Sequence, residues 1–401
     1  MTHAAVGGRV GTMKRTTPRA LAFLVLLVAL AAGCTGSRET RTPVVAFVAG
    51  GNEVRAFLTG LPREAADDPA LTPLPDLTRS LPAGSTILDV ASVPEGRPAL
   101  YLLYRDASGD RLARFDLDAL DPNDAASVSP VPDAEIDLSD LVGANLEILD
   151  DPLCAVAIDV APDGAWSGQV HDPAACGGIE PPAVLAVELT PDDPSTRRVR
   201  PTGAGTNDAA AAPTFVGTGD DERLAWLRTS GEVALWSPDA PDAPARDTAG
   251  VERLTSDGPA LGRAGTGLAL ADGDEVTFVP LGGGEPGPTW TIDGVTTIDA
   301  LVAAEGLPGV AAVGVADGAL LLAAGLDGEP DEERVGVRSG VSAEAAVLDP
   351  YGYLLVATPL RLEAYDALTA LDDAAIGFPV ARADLVLPAD PVGVVWTFVT
   401  R

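Results

Sequence analysis

The chain has 401 residues and carries 59 acidic side chains against 26 lysines and arginines, a formal charge of −33, with two histidines and three cysteines. A surface this acidic repels nucleic acid and anionic lipid headgroups, which need a basic patch to bind. Apolar residues make up 46% of the sequence and come in short runs, so the chain reads as core-forming rather than disordered.

Residues 13–33 run MKRTTPRALAFLVLLVALAAG: a basic start at Lys14, Arg15 and Arg19, an apolar stretch from Leu21, then small residues. This is the three-part layout of a secretory signal. An apolar run of about 13 residues is too short for a bilayer that needs about 20, and no stop-transfer pattern follows. Ala31-Ala32-Gly33-Cys34 followed by Thr35-Gly36-Ser37 resembles the lipobox of bacterial lipoproteins, with Ala31 where that family most often has leucine. The resemblance implies that 1–33 is removed as a signal peptide and that Cys34 becomes the N-terminal residue, carrying diacylglycerol and palmitate. It implies an exported protein anchored to a bacterial membrane on the extracytoplasmic face. Met13 is an alternative start, because residues 1–12 add little to a signal. Residues 34–43 are then the lipidated cysteine and a short polar tether, which spans about 30 Å when fully extended.

From Val44 onward one unit recurs: an apolar strand, a tight Gly or Asp turn, and a second strand of alternating character. It is seen at 44–58, 99–117, 223–236, 267–281, 309–326 and 351–368. Around 154–190 it is expanded into the hairpin CAVAIDV-APDG-AWSGQVH, a loop holding Cys176, and AVLAVEL. Turns centre near residues 51, 109, 181, 231, 273, 318 and 359. Several units have a further strand upstream, such as TILDVASV (86–93), APTFVG (212–217) and AEAAVLD (343–349). No helical period is sustained, and Pro and Gly punctuate the chain throughout.

Three or four strands per unit at this period predict an all-β fold over 44–401, a single β-propeller of seven blades, with six or eight also compatible. The C-terminal strand segment lacks a full unit after it. Its pairing with the N-terminal strand would close the first blade and bring Trp396 and Phe398 against the 44–58 hairpin. The units resemble the YVTN and quinoprotein-like propeller group of exported bacterial proteins, in architecture and without a diagnostic motif. The acidic segment 116–151 holds few strand signals and is expected to be a long loop between blades. Cys154 and Cys176 are expected to form a disulfide, since the hairpin turn at Asp163-Gly164 brings them close and export permits oxidation.

Candidate chemistry is sparse. Lys14 is the only lysine, so a mature chain has no P-loop lysine, no Ser-x-x-Lys nucleophile and no Schiff base. His171 is the only histidine beyond the signal, and it is expected in a surface or loop position beside the disulfide hairpin. Zinc lacks ligands, whereas calcium could draw on Asp116, Asp118, Asp121, Asn123 and Asp124. That run lacks the glycine and closing glutamate of an EF-hand loop, so a solvated acidic loop is the simpler reading, with no cofactor required. GRAGTG (262–267) precedes a strand rather than a helix and reads as a turn. The reading that follows is a lipid-anchored, non-catalytic propeller bound to the membrane through Cys34 and to another envelope protein, with no nucleic-acid partner. Its fold resembles propeller lipoproteins that assist outer-membrane protein assembly. The alternative is a calcium-dependent propeller hydrolase or lactonase working from the central funnel. That alternative needs inner-strand acids such as Asp89, Asp159, Asp299 and Asp349 to converge.

Overall fold

The first strand, β1 (Val44–Gly50), is buried at all seven positions, as its unbroken apolar sequence VVAFVAG requires. It lies inside a computed structural model that describes residues 42–399. Excepted are 61–69, 95, 139–153, 179–181, 190–198, 202–208, 218–220, 249–253, 255–258, 265–266, 282–285, 288, 293–295, 299, 303–309, 317–318, 325–335, 368 and 370–375.

β1 pairs antiparallel with β2 (Glu53–Gly60), which pairs with β3 (Ala70–Pro73) and the two-residue β4 (Arg79–Ser80). The second sheet is β5 (Thr86–Val93), β6 (Ala99–Asp106), β7 (Gly109–Asp116) and β8 (Ala134–Asp137). The third is β9 (Ala155–Val160), β10 (Trp166–His171), β11 (Ala183–Glu188) and β12 (Val199–Pro201), and the fourth is β13 (Thr214–Val216), β14 (Arg223–Leu227), β15 (Val233–Trp236) and β16 (Arg246–Thr248). The fifth is β17 (Ala260–Ala264), β18 (Gly267–Asp272), β19 (Glu275–Pro280) and β20 (Thr289–Thr291). The sixth is β21 (Ala300–Val302), β22 (Val310–Ala316), β23 (Ala319–Ala324) and β24 (Gly336–Ser339). The seventh is β25 (Ala345–Leu348), β26 (Tyr353–Ala357), β27 (Arg361–Asp366) and β28 (Ala381–Asp384). Last, β29 (Pro391–Phe398) returns to pair with β1, Phe398 opposite Val44 and Trp396 opposite Ala46.

Among the described residues the chain is therefore an all-β fold of seven antiparallel sheets, an arrangement consistent with propeller blades. Of the turns read from the sequence, those near 51, 109, 231, 273 and 359 fall at the second-to-third strand connection of their sheets, and those near 181 and 318 lie outside the described residues. In the first sheet that position belongs to β1 and β2, because β29 supplies the leading strand. Among the described residues no helix is long and apolar enough to cross a membrane.

The sheets pack face to face, and alternation along each strand sends neighbouring residues to different interfaces. In β1, Val45, Phe47 and Ala49 join Leu100, Leu102, Tyr104 and Phe115 of the second sheet. Ala46 and Val48 instead join Tyr353, Leu355 and Leu362 of the seventh. Burial on both faces is why β1 reads as continuous rather than alternating. Each fully buried Phe or Leu in such an interface contributes about 1.5–3 kcal/mol. Trp166, Trp226 and Trp236 fill the interface of the third and fourth sheets, with Trp166 and Trp236 edge to face at 5.2 Å.

Leading strands touch in succession from β5 to β25, and β29 touches both β5 and β25. Ser92 donates to the Trp396 carbonyl (2.9 Å), and the Trp396 indole N–H donates to the Leu348 carbonyl (3.0 Å). Trp396 and Phe398 therefore sit on the strand beside the 44–58 hairpin, but their rings serve the seventh sheet: Phe398 packs edge to face on Tyr351 at 6.4 Å.

One expectation needs correction. The segment 116–151 is not simply a loop. It supplies β8, the outer strand of the second sheet, and buries Leu117, Leu120 and Val128 in the core. The acidic composition hides this, because three spaced apolar side chains are enough to anchor the segment while the carboxylates stay in water. Its remainder, 139–151, lies outside the described residues.

Sheet contact is close enough to require glycine. A Cβ on Gly262 of β17 would lie 2.7 Å from the Leu301 carbonyl oxygen and 2.6 Å from the Leu301 Cβ in β21. Backbone cannot yield there without parting the fifth and sixth sheets. Gly262→Ala is expected to lower stability by about 1–3 kcal/mol, the usual cost of overpacking, measured as a lower urea midpoint with unchanged slope.

Candidate functional site

Leading strands have one edge paired in their own sheet and one edge turned away from it, where backbone N–H groups lack ladder partners. Two aspartates answer this in the same way. Asp89 of β5 accepts from its neighbour Val90 N–H (2.8 Å) and, across the interface, from Ile158 N–H of β9 (2.8 Å). Asp159 of β9 accepts from Val160 N–H (2.9 Å) and from Phe215 N–H of β13 (2.6 Å). A third carboxylate, Asp110 at the start of β7, accepts from Ala155 N–H (2.7 Å) and is held by Arg105 through Nε (2.5 Å) and Nη2 (3.0 Å). β9 is thus bonded to the second sheet at Ala155 and Ile158, and to the fourth through Asp159.

Burial pushes the Asp89 carboxyl up to about 7, with backbone hydrogen bonds opposing and the Asp159 charge adding to the rise. The same desolvation takes Asp159 to about 6, moderated by its backbone bonds and by the Arg263 guanidinium. Glu222, just ahead of β14, is buried and pushed up to about 7 by desolvation, then by Asp163 and Asp239, with Arg263 and Arg223 pulling the other way. Burial in turn lowers Arg263 from the usual arginine range. Asp89, Asp159 and Arg263 lie on three leading strands, with Glu222 beside the next strand over.

His171 overturns its expected placement. It is fully buried at the end of β10, on the face it shares with Gln169 and Ser167, two and four residues away. Gln169 Nε2 donates to Ser167 Oγ (3.1 Å), which leaves Gln169 Oε1 to accept from His171 Nε2 (3.0 Å). That order fixes the proton on Nε2, and Nδ1 has no hydrogen-bond partner. Desolvation drives the imidazole down to about 4, against a weaker upward pull from Asp110. A neutral, sealed imidazole cannot serve a substrate in water.

The remaining sequence candidates separate. Asp116 accepts from Asp118 N–H, Asp121 from Asn123 N–H, and Asp124 from Ala126 N–H, so each carboxylate closes its own local turn. Among the described residues no group of three or more His, Cys, Asp or Glu could hold a metal ion. Asp349 caps the β25–β26 turn, accepting from Tyr351 N–H (2.9 Å) and Tyr353 N–H (2.8 Å). Cys154 and Cys176 are paired as a disulfide, with Cα atoms 6.0 Å apart. Cys34 and Asp299 lie outside the described residues. Arg263 escapes the sequence reading because GRAGTG was read as a turn, and Glu222 because it falls between the strand segments 212–217 and 223–236. The signal was a lone arginine following the apolar start of β17.

No family model matches the chain, and no curated protein matches it. Among solved structures it is similar to apo AztD from Citrobacter koseri, at 10% identity and a TM-score of 0.49, over 88% of this chain and 84% of that one. A likeness this distant says nothing of activity.

The pH dependence of the clasps has a definite sign. Asp89 holds its proton up to about pH 7 in the fold and to about 4 when unfolded. Its contribution to stability is therefore full below pH 4 and lost as pH rises through 7. His171 acts oppositely, losing stability as pH falls from 6.5 towards 4. Asp89→Asn removes only the first effect. The stability of the native protein relative to this variant is expected to grow as pH falls from 8 to 5, read from urea midpoints at both values. A constant difference would refute the assignment.

Proposed function

We propose that the seven sheets are the blades of one propeller, closed by β29, and that the protein is a non-catalytic interaction module held to the cell envelope through lipid on Cys34. Support for the ring comes from the terminal strands. β29 bonds to β1 and touches both β5 and β25, so the edge that a seven-sheet row would leave open is covered.

The observation that carries the non-catalytic reading is the employment of the inner carboxylates. A hydrolase in the funnel needs oxygens free to meet a metal or a substrate. Asp89 and Asp159 each give both oxygens to backbone N–H groups, one within the strand and one on the next sheet. Asp349 is bonded to its own turn and His171 is sealed. Lipid anchoring rests on the Ala31-Ala32-Gly33-Cys34 signature, and the acidic charge is compatible with a protein partner carrying basic groups.

The test uses the full chain expressed in a bacterial host. The native protein is expected in the membrane fraction with a palmitate label, and Cys34→Ala in the soluble fraction without it. Purified in detergent, the native protein is expected to melt at the same temperature with millimolar calcium or excess chelator. A calcium-dependent rise of several degrees, together with chelator-sensitive hydrolysis of lactones or phosphoesters, would establish the enzyme instead.

A further inference from the structure

Among the described residues, three of the exposed large apolar side chains, Leu360, Val386 and Val392, share one end of the seventh and first sheets, while Val131, Phe378 and Val380 lie elsewhere. Leu360, in the β26–β27 turn, is 74% exposed, and Val386, in the connection from β28 to β29, is 73% exposed. They are neighbours, since the Leu385 N–H donates to the Leu360 carbonyl at 2.9 Å. The connection then runs through exposed Pro388 and Ala389 to Val392 at the start of β29, which is 39% exposed. It is seated on the β1–β2 turn: a Cβ on Gly51, whose φ is +62°, would lie 2.9 Å from Pro388 Cβ. Singly exposed apolar residues are ordinary on a surface, whereas a contiguous run on a braced segment marks a contact site.

The position of this patch bears on what covers it. The tether enters the fold at Val44, opposite Phe398. Phe398 packs on Tyr351, and Tyr353 pairs with Asp366, so these residues mark the tether end of the two sheets. Gly50, Pro391 and Val392 lie at the other end of β1 and β29, and Leu360 lies past the far end of β26. Seven residues of strand separate the two ends by about 20 Å. The patch therefore lies at the end of these two sheets opposite Val44. Asp384 and Asp390, both exposed, flank the apolar run on a chain of charge −33. A second copy would bring like charges together at this rim.

From the envelope-module reading, we infer that Leu360, Val386 and Val392, with the intervening Pro388 and Ala389, form the docking surface for a different protein, one presenting apolar side chains within a basic rim. The patch supplies the apolar centre, and the flanking aspartates set orientation and reject acidic partners.

The test places a photo-crosslinking amino acid at Ala389, and separately at Val131 and Phe378 as exposed controls outside the patch, in the full lipid-anchored chain in cells. A discrete protein adduct is expected from position 389 only. Its yield is expected to fall at least fivefold in Leu360→Asp/Val386→Asp and to fall with added salt in isolated membranes. Purified, the double variant is expected to keep the native melting temperature, since both side chains are already in water. Self-adducts or lipid adducts at 389 would replace the inferred partner and overturn the proposal. An adduct insensitive to the double substitution or to salt would also overturn it. Adducts from 131 or 378 alone would sink this surface while leaving the envelope module standing, and adducts from none of the three would count against both.

Discussion

Edge N–H groups are the constraint on which this fold turns. Among the described residues each sheet leads with a strand whose second edge has no ladder partner, and a buried, unbonded backbone donor costs about as much as a lost hydrogen bond. Between the second, third and fourth sheets the answer is a carboxylate from one sheet bonded to the next sheet's backbone. Asp110 and Asp89 take Ala155 and Ile158, and Asp159 takes Phe215. These bonds fix the sheets' relative height as well as satisfying donors, because an N–H offers a single direction and an apolar interface does not. Elsewhere the leading strands rely on other devices. Glycine allows close approach at Gly262, and the Trp396 indole reaches the Leu348 carbonyl.

The same interaction governs the electrostatics. A carboxylate placed between sheets loses water on all sides, and for Asp89 and Asp159 that loss outweighs two backbone hydrogen bonds apiece. Such raised values in a cleft are ordinarily a sign of catalytic acids. Here the geometry gives them a structural cause, since the desolvated oxygens are the ones that clasp the neighbouring strand. His171 reaches the opposite condition by the same route: it is buried, bonded through Nε2 and kept neutral. With these two leanings opposed between pH 4 and 6.5, the fold's response to acid is the difference of two contributions, not the sum of similar ones.

Much of the fold was legible because β-sheet period and turn chemistry are local. The hairpins at 44–58, 99–117 and 267–281 announced themselves by apolar runs around Gly or Asp turns, and the pairings follow those turns. The Asp163-Gly164 turn set the register that brings Cys154 beside Asp172 and within reach of Cys176. What sequence hid was long-range. Nothing local says that Asp89 meets Ile158, or that β8 completes the second sheet from inside an acidic segment. His171 was expected at the surface or in a loop because it stands beside the disulfide hairpin. It is sealed because Ser167, Gln169 and His171 satisfy one another in a row along one face, a pattern that a polarity scale cannot distinguish from solvation.

The pairing of β29 with β1 explains where the chain must return late in the fold. Because β29 supplies the leading strand of the first sheet and β1 the next, the connection that would join them is the gap between the termini, at Phe398 and Val44. The compensating cost is the long return from β28 to β29, which must cross the opposite end and cover the β1–β2 turn. A segment so placed cannot bury both of its own faces: Leu385 and Leu387 turn inward to pack on the seventh sheet and the first, and Val386 is left outward between them. The exposed apolar surface is thus a consequence of how the first sheet is completed: the return that lets β29 lead that sheet is the segment that leaves Val386 outward.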